Sequence, residues 1–508
     1  MAPLLEMTGI TRIYDNGILA NDCVDISLDE REIHAIAGEN GAGKSTVMKV
    51  LYGLETCDGG ETRIRGEKAD IRAPKDAMAL GIGMVQQHFM LVNELTVYEN
   101  IFLGQEIRRH GVLDRSAMIE KTRALGELYG MPVDPEKKCG ELTVGMAQRV
   151  EILKVLARGA EILILDEPTA VLTPQETAQL FDQLRLLREN GHTCVIITHK
   201  LREITELCDR VTVMRAGKTV GTYRVAEVDE NEISRLMVGR DVQLTLKKPP
   251  AKPGQTVLTV SGLHVAAPSG RPALNDVGFT VRAGEIVCLA GVEGNGQSEV
   301  VQCITGLRKN YDGSVVFSGQ DLAPLDIKHI RKLGVAHIPE DRMARGVNPS
   351  ADILDNLISV KIDRSTRAGF VRYHELGELA DIQTEHYQIR AAGNRQRIDM
   401  LSGGNIQKVV VAREMEENPE LLVADQPTRG VDVGAMELIH NRLLDLRSAG
   451  SAVLLISSDM SEVFNLADRI LVFHEGEITA EITDVKSLSE EQLGRYMLGL
   501  ERMEVPNQ

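Results

Sequence analysis

A glycine-rich segment near the amino terminus has the composition and spacing needed to bind phosphate. It reads Gly38-Glu39-Asn40-Gly41-Ala42-Gly43-Lys44-Ser45-Thr46, in the order G-x-x-x-x-G-K-S/T. Glycines let successive backbone N–H groups turn towards a polyphosphate, and the amino end of a following helix adds a partial positive charge. In this pattern Lys44 reaches the β- and γ-phosphates and the Ser45 hydroxyl binds Mg²⁺. The segment, called the phosphate loop below, therefore predicts a nucleotide site.

The residues that flank the phosphate loop have the patterns of a strand and a helix. Ile33-His34-Ala35-Ile36-Ala37 is an apolar run, and Val47-Met48-Lys49-Val50-Leu51 is compatible with a helix. Further apolar runs at 162–165 and 194–197 are typical of strands buried on both faces, and they alternate with amphipathic segments. The pattern predicts an α/β fold with a largely parallel sheet, and it disfavours an accidental glycine-rich turn.

Two consecutive carboxylates end one of these apolar runs, Leu163-Ile164-Leu165-Asp166-Glu167. In this position Asp166 can hold Mg²⁺ through water, and Glu167 can polarise an attacking water. An isolated Asp-Glu pair would be interpreted as a surface pair. The phosphate loop upstream favours the catalytic interpretation instead.

A second glycine-containing segment, Leu142-Thr143-Val144-Gly145-Met146, begins 24 residues before Asp166. We expect a helix to begin near Ala147, since the residues that follow are compatible with one. The amino end of such a helix can present N–H groups to a phosphate. This pattern is not specific by itself.

Taken together, these segments resemble the ATP-binding subunits of ABC transporters, and the resemblance covers nearly the whole chain. It implies that 142–146 is the family's signature motif and that Gln87 touches Mg²⁺ and senses the membrane subunits. It further implies that His199 is a switch histidine near the γ-phosphate and that Tyr14 lies against adenine. Without the resemblance, Gln87 and Tyr14 would be interpreted as a surface amide and an ordinary ring, and the role of His199 would stay open.

The sequence contains two copies of this order of segments. Gly38 and Gly291 are 253 residues apart, and Asp166 and Asp425 are 259 residues apart. A duplication of this length predicts two similar domains. The resemblance implies two tandem P-loop NTPase domains, each with a largely parallel core sheet, an antiparallel β subdomain and a helical subdomain. We predict domains at 1–243 and 255–500, a Pro/Lys-rich linker at 244–254 and a tail at 501–508.

Several functional positions of the first copy are replaced in the second copy. Tyr14, Lys44, Gln87, Glu167 and His199 correspond to Ala267, Gln297, Glu340, Gln426 and Ser458. The exchange at 297 removes the phosphate-binding ammonium, beside an added negative charge at Glu293, and the exchange at 426 replaces a basic carboxylate by an amide. The signature of the second copy is better preserved than that of the first and reads Leu401-Ser402-Gly403-Gly404-Asn405.

The resemblance implies that two such domains dimerise head to tail, with each ATP between one domain's phosphate loop and the other domain's signature. One composite site then combines Lys44, Ser45, Gln87, Asp166, Glu167 and His199 with Ser402, Gly403, Gly404 and Asn405. All the substitutions fall in the other composite site. We therefore expect one hydrolytic site and one degenerate site that could still retain nucleotide. The alternative is that both sites hydrolyse ATP weakly.

Composition and charge exclude several other classes of protein. The chain has 508 residues and a formal net charge of −17, which disfavours non-specific nucleic-acid binding. Its seven cysteines contain no C-x-x-C pair, so a zinc site or a disulfide framework is not expected and a reducing cytoplasm fits. No apolar run approaches the roughly 20 residues of a membrane span, so a membrane role would require partners.

The tandem arrangement resembles the ATPase subunit of bacterial monosaccharide and nucleoside importers. The segments that carry this resemblance are 83–91, 167–176, 338–342 and 426–435, and the first and last are closer to the nucleoside branch. The resemblance implies ATP and Mg²⁺, two integral-membrane permeases, an extracytoplasmic solute-binding protein, a place at the cytoplasmic face of the membrane, and no contact with the solute. A ribosome-associated ABC translation factor and an ABC exporter ATPase are the alternatives. The apolar segment 88–92 is expected either to contact a permease or to be locally buried.

Overall fold

The computed structural model of the chain describes residues 3–14, 17–87, 89–169, 172, 174–241, 246, 248–267, 272–292, 294–362, 365–367 and 370–503. Outside this part lie His88, Glu293, positions 244, 245 and 247 of the predicted linker, and 504–508 of the predicted tail. The chain divides into two compact units, Met1–Val242 and Gln243–Gln508. The domain limits drawn from the sequence stay predictions.

The first unit is built from twelve strands and eight helices within its described residues. Its strands are β1 (Leu5–Ile13), β2 (Leu19–Leu28), β3 (Ile33–Ala37), β4 (Gly59–Ile64), β5 (Glu67–Ala69), β6 (Ile82–Val85), β7 (Arg108–Arg109), β8 (Val112–Leu113), β9 (Ile162–Asp166), β10 (Thr193–Thr198), β11 (Arg210–Arg215) and β12 (Lys218–Arg224). Its helices are α1 (Lys44–Leu51), α2 (Pro74–Ala79), α3 (Val97–Ile101), α4 (Arg115–Leu128), α5 (Val144–Ala157), α6 (Pro174–Glu189), α7 (Leu201–Leu207) and α8 (Glu230–Val238).

The core sheet of the first unit has the order β12-β11-β3-β10-β9-β6, in which all neighbours except β11 and β12 run parallel. Every residue of β3 and β10 is buried, because these strands are covered on both faces and are almost wholly apolar. A second, antiparallel sheet has the order β2-β1-β4-β5. Helices α3, α4 and α5 pack against one another. These three parts confirm the predicted fold class.

The register of the core sheet brings the predicted functional segments to one edge. Ala37 at the end of β3 pairs with Thr198 of β10, and Asp166 at the end of β9 pairs with Ile197. Parallel strands have their carboxyl ends at the same edge of a sheet. The phosphate loop, Glu167 and His199, which follow these three strands, therefore lie side by side.

The second unit repeats this architecture. Its strands are β13 (Thr256–Ala266), β14 (Pro272–Arg282), β15 (Ile286–Ala290), β16 (Asp312–Phe317), β17 (Gln320–Asp321), β18 (Val335–Ile338), β19 (Thr366–Arg367), β20 (Phe370–Val371), β21 (Leu421–Asp425), β22 (Ala452–Ser457), β23 (Arg469–His474) and β24 (Glu477–Ile482). Its helices are α9 (Gln297–Ile304), α10 (Ile327–Lys332), α11 (Ile353–Ile358), α12 (Tyr373–His386), α13 (Gly403–Met415), α14 (Val433–Ser448), α15 (Met460–Leu466) and α16 (Glu490–Met497).

The two larger sheets of the second unit have the same kinds of pairing as those of the first. The core sheet has the order β18-β21-β22-β15-β23-β24 with one antiparallel pair at the β24 edge, and the antiparallel sheet has the order β14-β13-β16-β17. Helices α12 and α13 both pack against α11. A short π-helical segment, Arg342–Gly346, follows β18. Two copies of one pattern in the sequence thus form two copies of one fold.

Part of the predicted linker packs on the second unit. Lys248 makes an ion pair of 2.9 Å with Asp468, and the N–H of Gly254 donates to the carbonyl of Ala283 at 2.8 Å. Across the described residues, the helices are too short or too polar to cross a bilayer.

Candidate active site

The phosphate loop connects β3 to α1, and glycine is required at its last turn. Gly43 caps the amino end of α1 with a φ of 91°, which is a left-handed conformation. A Cβ at this position would lie 2.4 Å from the carbonyl oxygen of Ala20 and 2.5 Å from the Asn21 side-chain nitrogen. A larger residue would be strained and would also push β2 away. The loop is therefore held close to the strand beside it.

Lys44 is buried and points its ammonium group into the phosphate loop. Its Nζ atom donates to the carbonyl oxygens of Gly38 at 2.7 Å and Glu39 at 3.0 Å. Both acceptors are uncharged carbonyl oxygens of the loop itself, and the charge of Lys44 also acts on Asp166 and Glu167. Gly41 has a φ of 82° and open space where a Cβ would be. The loop thus combines a centred cation, a helix amino terminus and glycine backbone, a set that fits a phosphate group.

Ser45 and Asp166 place two oxygen atoms next to the phosphate loop. The Ser45 hydroxyl donates to Oδ1 of Asp166 at 3.2 Å. Burial, followed by the negative charge of Glu167, raises the pKa of Asp166 above its usual value. Because Mg²⁺ prefers hydroxyl, carboxylate and water oxygens, this pair fits the magnesium site predicted from the sequence.

Glu167 is held by two side chains from two other segments. Nδ1 of His199 lies 3.0 Å from one carboxylate oxygen of Glu167, and Nε2 of Gln87 donates to the other at 3.0 Å. Glu167 has a φ of 47°, and its N–H donates to Ile197 on the neighbouring strand at 2.9 Å. A non-glycine residue in this region is held by its surroundings and is typical of functional sites.

The electrostatic surroundings of Glu167 favour its ionised form. Burial acts to raise the pKa of Glu167, and the hydrogen bond and charge of His199 act to lower it. The charges of Lys44 and Lys200 act in the same direction, so the pKa of Glu167 lies below its usual value. Two adjacent carboxylates thus have pKa values that are moved apart, with Asp166 raised and Glu167 lowered. Such a separation is typical of sites in which neighbouring acids have different tasks.

The corresponding positions of the second unit have the same backbone and different chemistry. Gln426 has a φ of 49°, and its amide lies 3.3 Å from the Ser458 hydroxyl. Glu340 makes an ion pair with Arg429 instead of turning to residue 426. The amide of Gln297 donates to the Val292 carbonyl at 3.4 Å, where Lys44 reaches two carbonyls in the first unit. The second site keeps the fold of the first and lacks its cation, carboxylate and imidazole.

Tyr14 lies beside the helix that follows the phosphate loop. Its hydroxyl is 3.2 Å from that of Thr46, and the guanidinium of Arg12 lies 5.1 Å from the ring centroid. The ring is therefore fixed next to the nucleotide side of α1, with Arg12 over one face. Its stacking on adenine stays a prediction.

Helix α5, which carries the signature segment of the first unit, begins at Val144. The predicted start near Ala147 is wrong, because Thr143 is the N-cap residue and its hydroxyl accepts from the Met146 N–H at 3.4 Å. Val144 and Met146 are exposed at this helix start. The first signature therefore presents apolar side chains at the positions where the second copy has Gly403 and Asn405.

The signature segment of the second unit lies close to the side chains around it. Ser402 caps α13, and its hydroxyl accepts from the Asn405 amide at 2.9 Å. A Cβ at Gly403 would lie 2.5 Å from an Arg342 nitrogen, and one at Gly404 would lie 2.9 Å from an Asp432 oxygen. Glycines thus let this helix start approach its neighbours closely. Its role in a composite site with the first unit stays a prediction.

Two further interactions at the site were missed in the sequence. The Gln148 amide on α5 donates to the Pro168 carbonyl at 2.7 Å, directly after Glu167, and the Thr169 hydroxyl donates to the buried carboxylate of Glu203. Both have counterparts in the second unit, Gln407 with Pro427 and Thr428 with Glu462. The signal that could have revealed them is their retention in both copies at the offset of 259 residues.

A family model and several known proteins match this chain over most of its length. The family model described as ABC transporter matches residues 22–170 and 274–429. The chain is 43% identical over 501 residues to the guanosine import ATP-binding protein NupO of Bacillus subtilis (strain 168), with 98% of each chain covered. It is 41% identical over 498 residues to the nucleoside import ATP-binding protein NupA of Lactococcus lactis subsp. cremoris (strain MG1363), again with 98% of each covered. It is 40% identical over 530 residues to the glucose import ATP-binding protein TsgD13 of Haloferax volcanii, with 98% of this chain and 96% of that one covered.

Proposed function

The chain belongs to the ABC transporter family, and from this premise we propose that it is the ATP-hydrolysing subunit of an importer for nucleosides or simple sugars. The names of the similar proteins, which include guanosine, nucleoside and glucose import proteins, support both solute classes. The two relatives named first favour the nucleoside branch. One observation carries the proposal of an asymmetric motor: a carboxylate at Glu167 held by Gln87 and His199, and an amide at the matching Gln426.

In the proposed reaction, Glu167 orients and polarises the attacking water, since its carboxylate is fixed at both oxygens. Lys44 and His199 stabilise the charge that develops on the transferred phosphoryl group. Mg²⁺ held by Ser45, Asp166 and Gln87 would neutralise phosphate charge when bound. Tyr14, Gly38, Asn40, Gly41, Gly43 and Thr46 contribute to nucleotide binding.

In this proposal, the hydrolytic ATP site is formed by residues from both units of the chain. The helix start at 402–405 contributes N–H groups and hydroxyl or amide groups to the ATP bound by the first phosphate loop. The second phosphate loop pairs with the first signature, whose exposed Val144 and Met146 offer no polar side chain. ATP hydrolysis is therefore confined to one site, and the second site at most retains nucleotide.

The proposed importer contains two integral-membrane permeases and an extracytoplasmic solute-binding protein. The present chain is bound to the permeases at the cytoplasmic face of the membrane and does not contact the solute. Closure of the two halves on ATP transmits force to the permeases, and hydrolysis at the first site resets the pair.

The proposal is tested by affinity purification of the full-length chain from detergent-solubilised membranes, followed by ATPase assays of the complex. We expect two permeases, identified by mass spectrometry, to co-purify. Glu167→Gln should lower the rate by about 10²–10⁴-fold, while Gln426→Glu, the matched control, should leave it nearly unchanged. Retention of ribosomes, or of no membrane protein, would refute the importer. A Glu167→Gln variant with normal turnover would refute the asymmetric motor.

A further inference from the structure

Arg12, near the end of β1, packs against the ring of Tyr14. Its guanidinium carbon lies 5.1 Å from the ring centroid, within the range of a cation–π interaction. The Arg12 side chain is only 14% exposed. Its Nε atom is buried and has no hydrogen-bond partner among the described residues. This long charged side chain is therefore packed against the ring instead of extending into solvent.

Two carboxylates fix the guanidinium of Arg12. Its Nη2 atom pairs with Glu55 at 3.0 Å, and its Nη1 atom pairs with Asp58 at 3.2 Å. The Asp58 carboxylate also accepts from the N–H of Ile13 at 2.8 Å, so it holds the backbone that leads into Tyr14. Because a planar guanidinium bound at two of its nitrogens keeps one orientation, the cation stays over the ring.

The same contacts connect Tyr14 to both ends of α1. At the amino end, the Tyr14 hydroxyl lies 3.2 Å from that of Thr46, the last residue of the phosphate loop. Beyond the carboxyl end, the N–H of Glu55 donates to the carbonyl of Lys49 at 3.2 Å, and the Glu55 carboxylate holds Arg12. The ring and the phosphate loop are therefore held by one helix.

Every member of this cluster is replaced in the second unit. At the offset of 253 residues, Tyr14, Arg12, Thr46, Glu55 and Asp58 correspond to Ala267, Val265, Glu299, Arg308 and Tyr311. Arg308 donates to Gln302 at 3.2 Å, and the Tyr311 hydroxyl is buried without a hydrogen-bond partner in the described part of this unit. The ring, its cation and both carboxylates are thus lost together. Joint replacement is expected of residues that serve one task.

We propose that Arg12 is a positioning residue for nucleotide binding, which holds the Tyr14 ring so that adenine stacks on the face opposite the guanidinium. The cation occupies one face of the ring, so a base can stack only on the other. A ring that is already fixed loses little conformational freedom when the base binds, so stacking contributes more to the affinity. Glu55 and Asp58 act through Arg12, since they fix its guanidinium. The inference rests on the proposed function, in which the first unit binds ATP.

Arg12→Gln in the full-length chain tests this assignment with two ligands. A non-hydrolysable ATP analogue carries the base and inorganic tripolyphosphate does not, so only the analogue should depend on the ring. In calorimetric titrations we expect Arg12→Gln to weaken binding of the analogue by about threefold to tenfold and to leave tripolyphosphate binding unchanged. The same variant should raise KM for ATP with kcat retained. Arg63→Gln is the matched control, because Arg63 is a more exposed arginine of the same antiparallel sheet, paired with Glu61.

A double-mutant cycle shows whether Arg12 acts through Tyr14. Tyr14→Ala should weaken binding of the analogue by about tenfold, and the addition of Arg12→Gln should cause no further loss. Arg12→Lys should restore only part of the affinity, since an ammonium group lacks the planar fork that binds two carboxylates. Glu55→Gln removes one carboxylate at a partly exposed position and should cause a smaller loss, again confined to the analogue. This variant provides the test if Arg12→Gln lowers the melting temperature.

Several results would overturn the inference. They are unchanged affinity in both Arg12→Gln and Glu55→Gln, an equal loss for tripolyphosphate, an equal loss in Arg63→Gln, or the same further loss when Arg12→Gln is added to Tyr14→Ala. Wild-type affinity in Tyr14→Ala would also overturn it, while leaving ATP binding by the phosphate loop in place. If the wild-type chain binds neither ligand, the proposed function itself fails.

Discussion

Nδ1 of His199 lies 3.0 Å from a carboxylate oxygen of Glu167, while Ser458 and Gln426, at the same places of the second unit, share an uncharged hydrogen bond of 3.3 Å. The backbone is alike in both units, since Glu167 and Gln426 have φ values of 47° and 49°. Because a carboxylate can only accept, the His199 ring nitrogen donates here, which fixes the orientation of the imidazole. The two sites therefore have a similar backbone at these positions and differ in the chemistry of their side chains.

Replacement of His199 by alanine should slow ATP hydrolysis by about 10²-fold with little change in ATP affinity. The variant removes a donor to Glu167 and a group expected near the transferred phosphate, but it leaves the phosphate loop intact. Steady-state phosphate release and equilibrium nucleotide binding on the purified subunit measure the two effects separately. Ser458→Ala is the matched control and should behave as the wild type. Equal losses in both variants would contradict a single hydrolytic site.

Lys44→Ala should weaken ATP binding to the intact chain by at least about tenfold, because the buried ammonium is the cation at the centre of the first phosphate loop. Gln297→Ala should change binding little, since it removes a neutral amide that donates to one carbonyl at 3.4 Å. Titration with a fluorescent ATP analogue measures both affinities. Comparable losses would show that the second loop also binds nucleotide through residue 297.

Sequence patterns were sufficient to predict the two α/β domains and the first phosphate loop. Buried parallel strands such as β3 and β10 are continuous apolar runs, and the phosphate loop has a spacing fixed by the geometry of phosphate binding. Asp166 ends β9 and Glu167 follows it, and both lie near the loop because parallel strands end at one edge of a sheet. These features depend on local sequence and on one rule of sheet topology.

Contacts between distant segments could not be predicted in the same way. Two examples are the ion pair of Glu340 with Arg429 and the hydrogen bond from Thr169 to Glu203. Both depend on side-chain orientations that no local sequence pattern specifies. The start of α5 was missed because a threonine N-cap moved it to Val144, ahead of the helix-compatible run. The pairing of the buried Glu414 on α13 with Arg331 on α10 is likewise formed only when the two helices meet in the folded unit.

Removal of divalent cations by EDTA should abolish ATP hydrolysis, and readdition of Mg²⁺ should restore it. Ser45→Ala should raise the Mg²⁺ concentration needed for half-maximal turnover, because it deletes one of two oxygens that lie 3.2 Å apart at the candidate metal site. Ser298→Ala, in the second phosphate loop, is the control and should leave this concentration unchanged. A Ser45→Ala variant with wild-type Mg²⁺ dependence would exclude the hydroxyl as a ligand.

Thr169 links the segment that follows Glu167 to α7, the helix that follows His199, through hydrogen bonds. Its hydroxyl donates to the buried Glu203 and accepts from Lys200 at 3.0 Å. Thr169→Val has nearly the same shape and leaves Glu203 without this donor in a buried place. Loss of the bond should lower the free energy of unfolding by about 1–3 kcal/mol, as measured by chemical denaturation.

The same change should affect the two units differently in catalysis. Thr428 makes the equivalent bond to Glu462 at 2.8 Å, but it follows Gln426, which has no catalytic carboxylate. Thr428→Val should therefore destabilise its unit by a similar amount and leave turnover nearly unchanged, whereas Thr169→Val should also lower kcat by about tenfold with ATP affinity retained. Restoration of the rate by Thr169→Ser would assign the effect to the hydroxyl. A kcat that falls equally in both valine variants would mean that stability, rather than the position of Glu167, limits the rate.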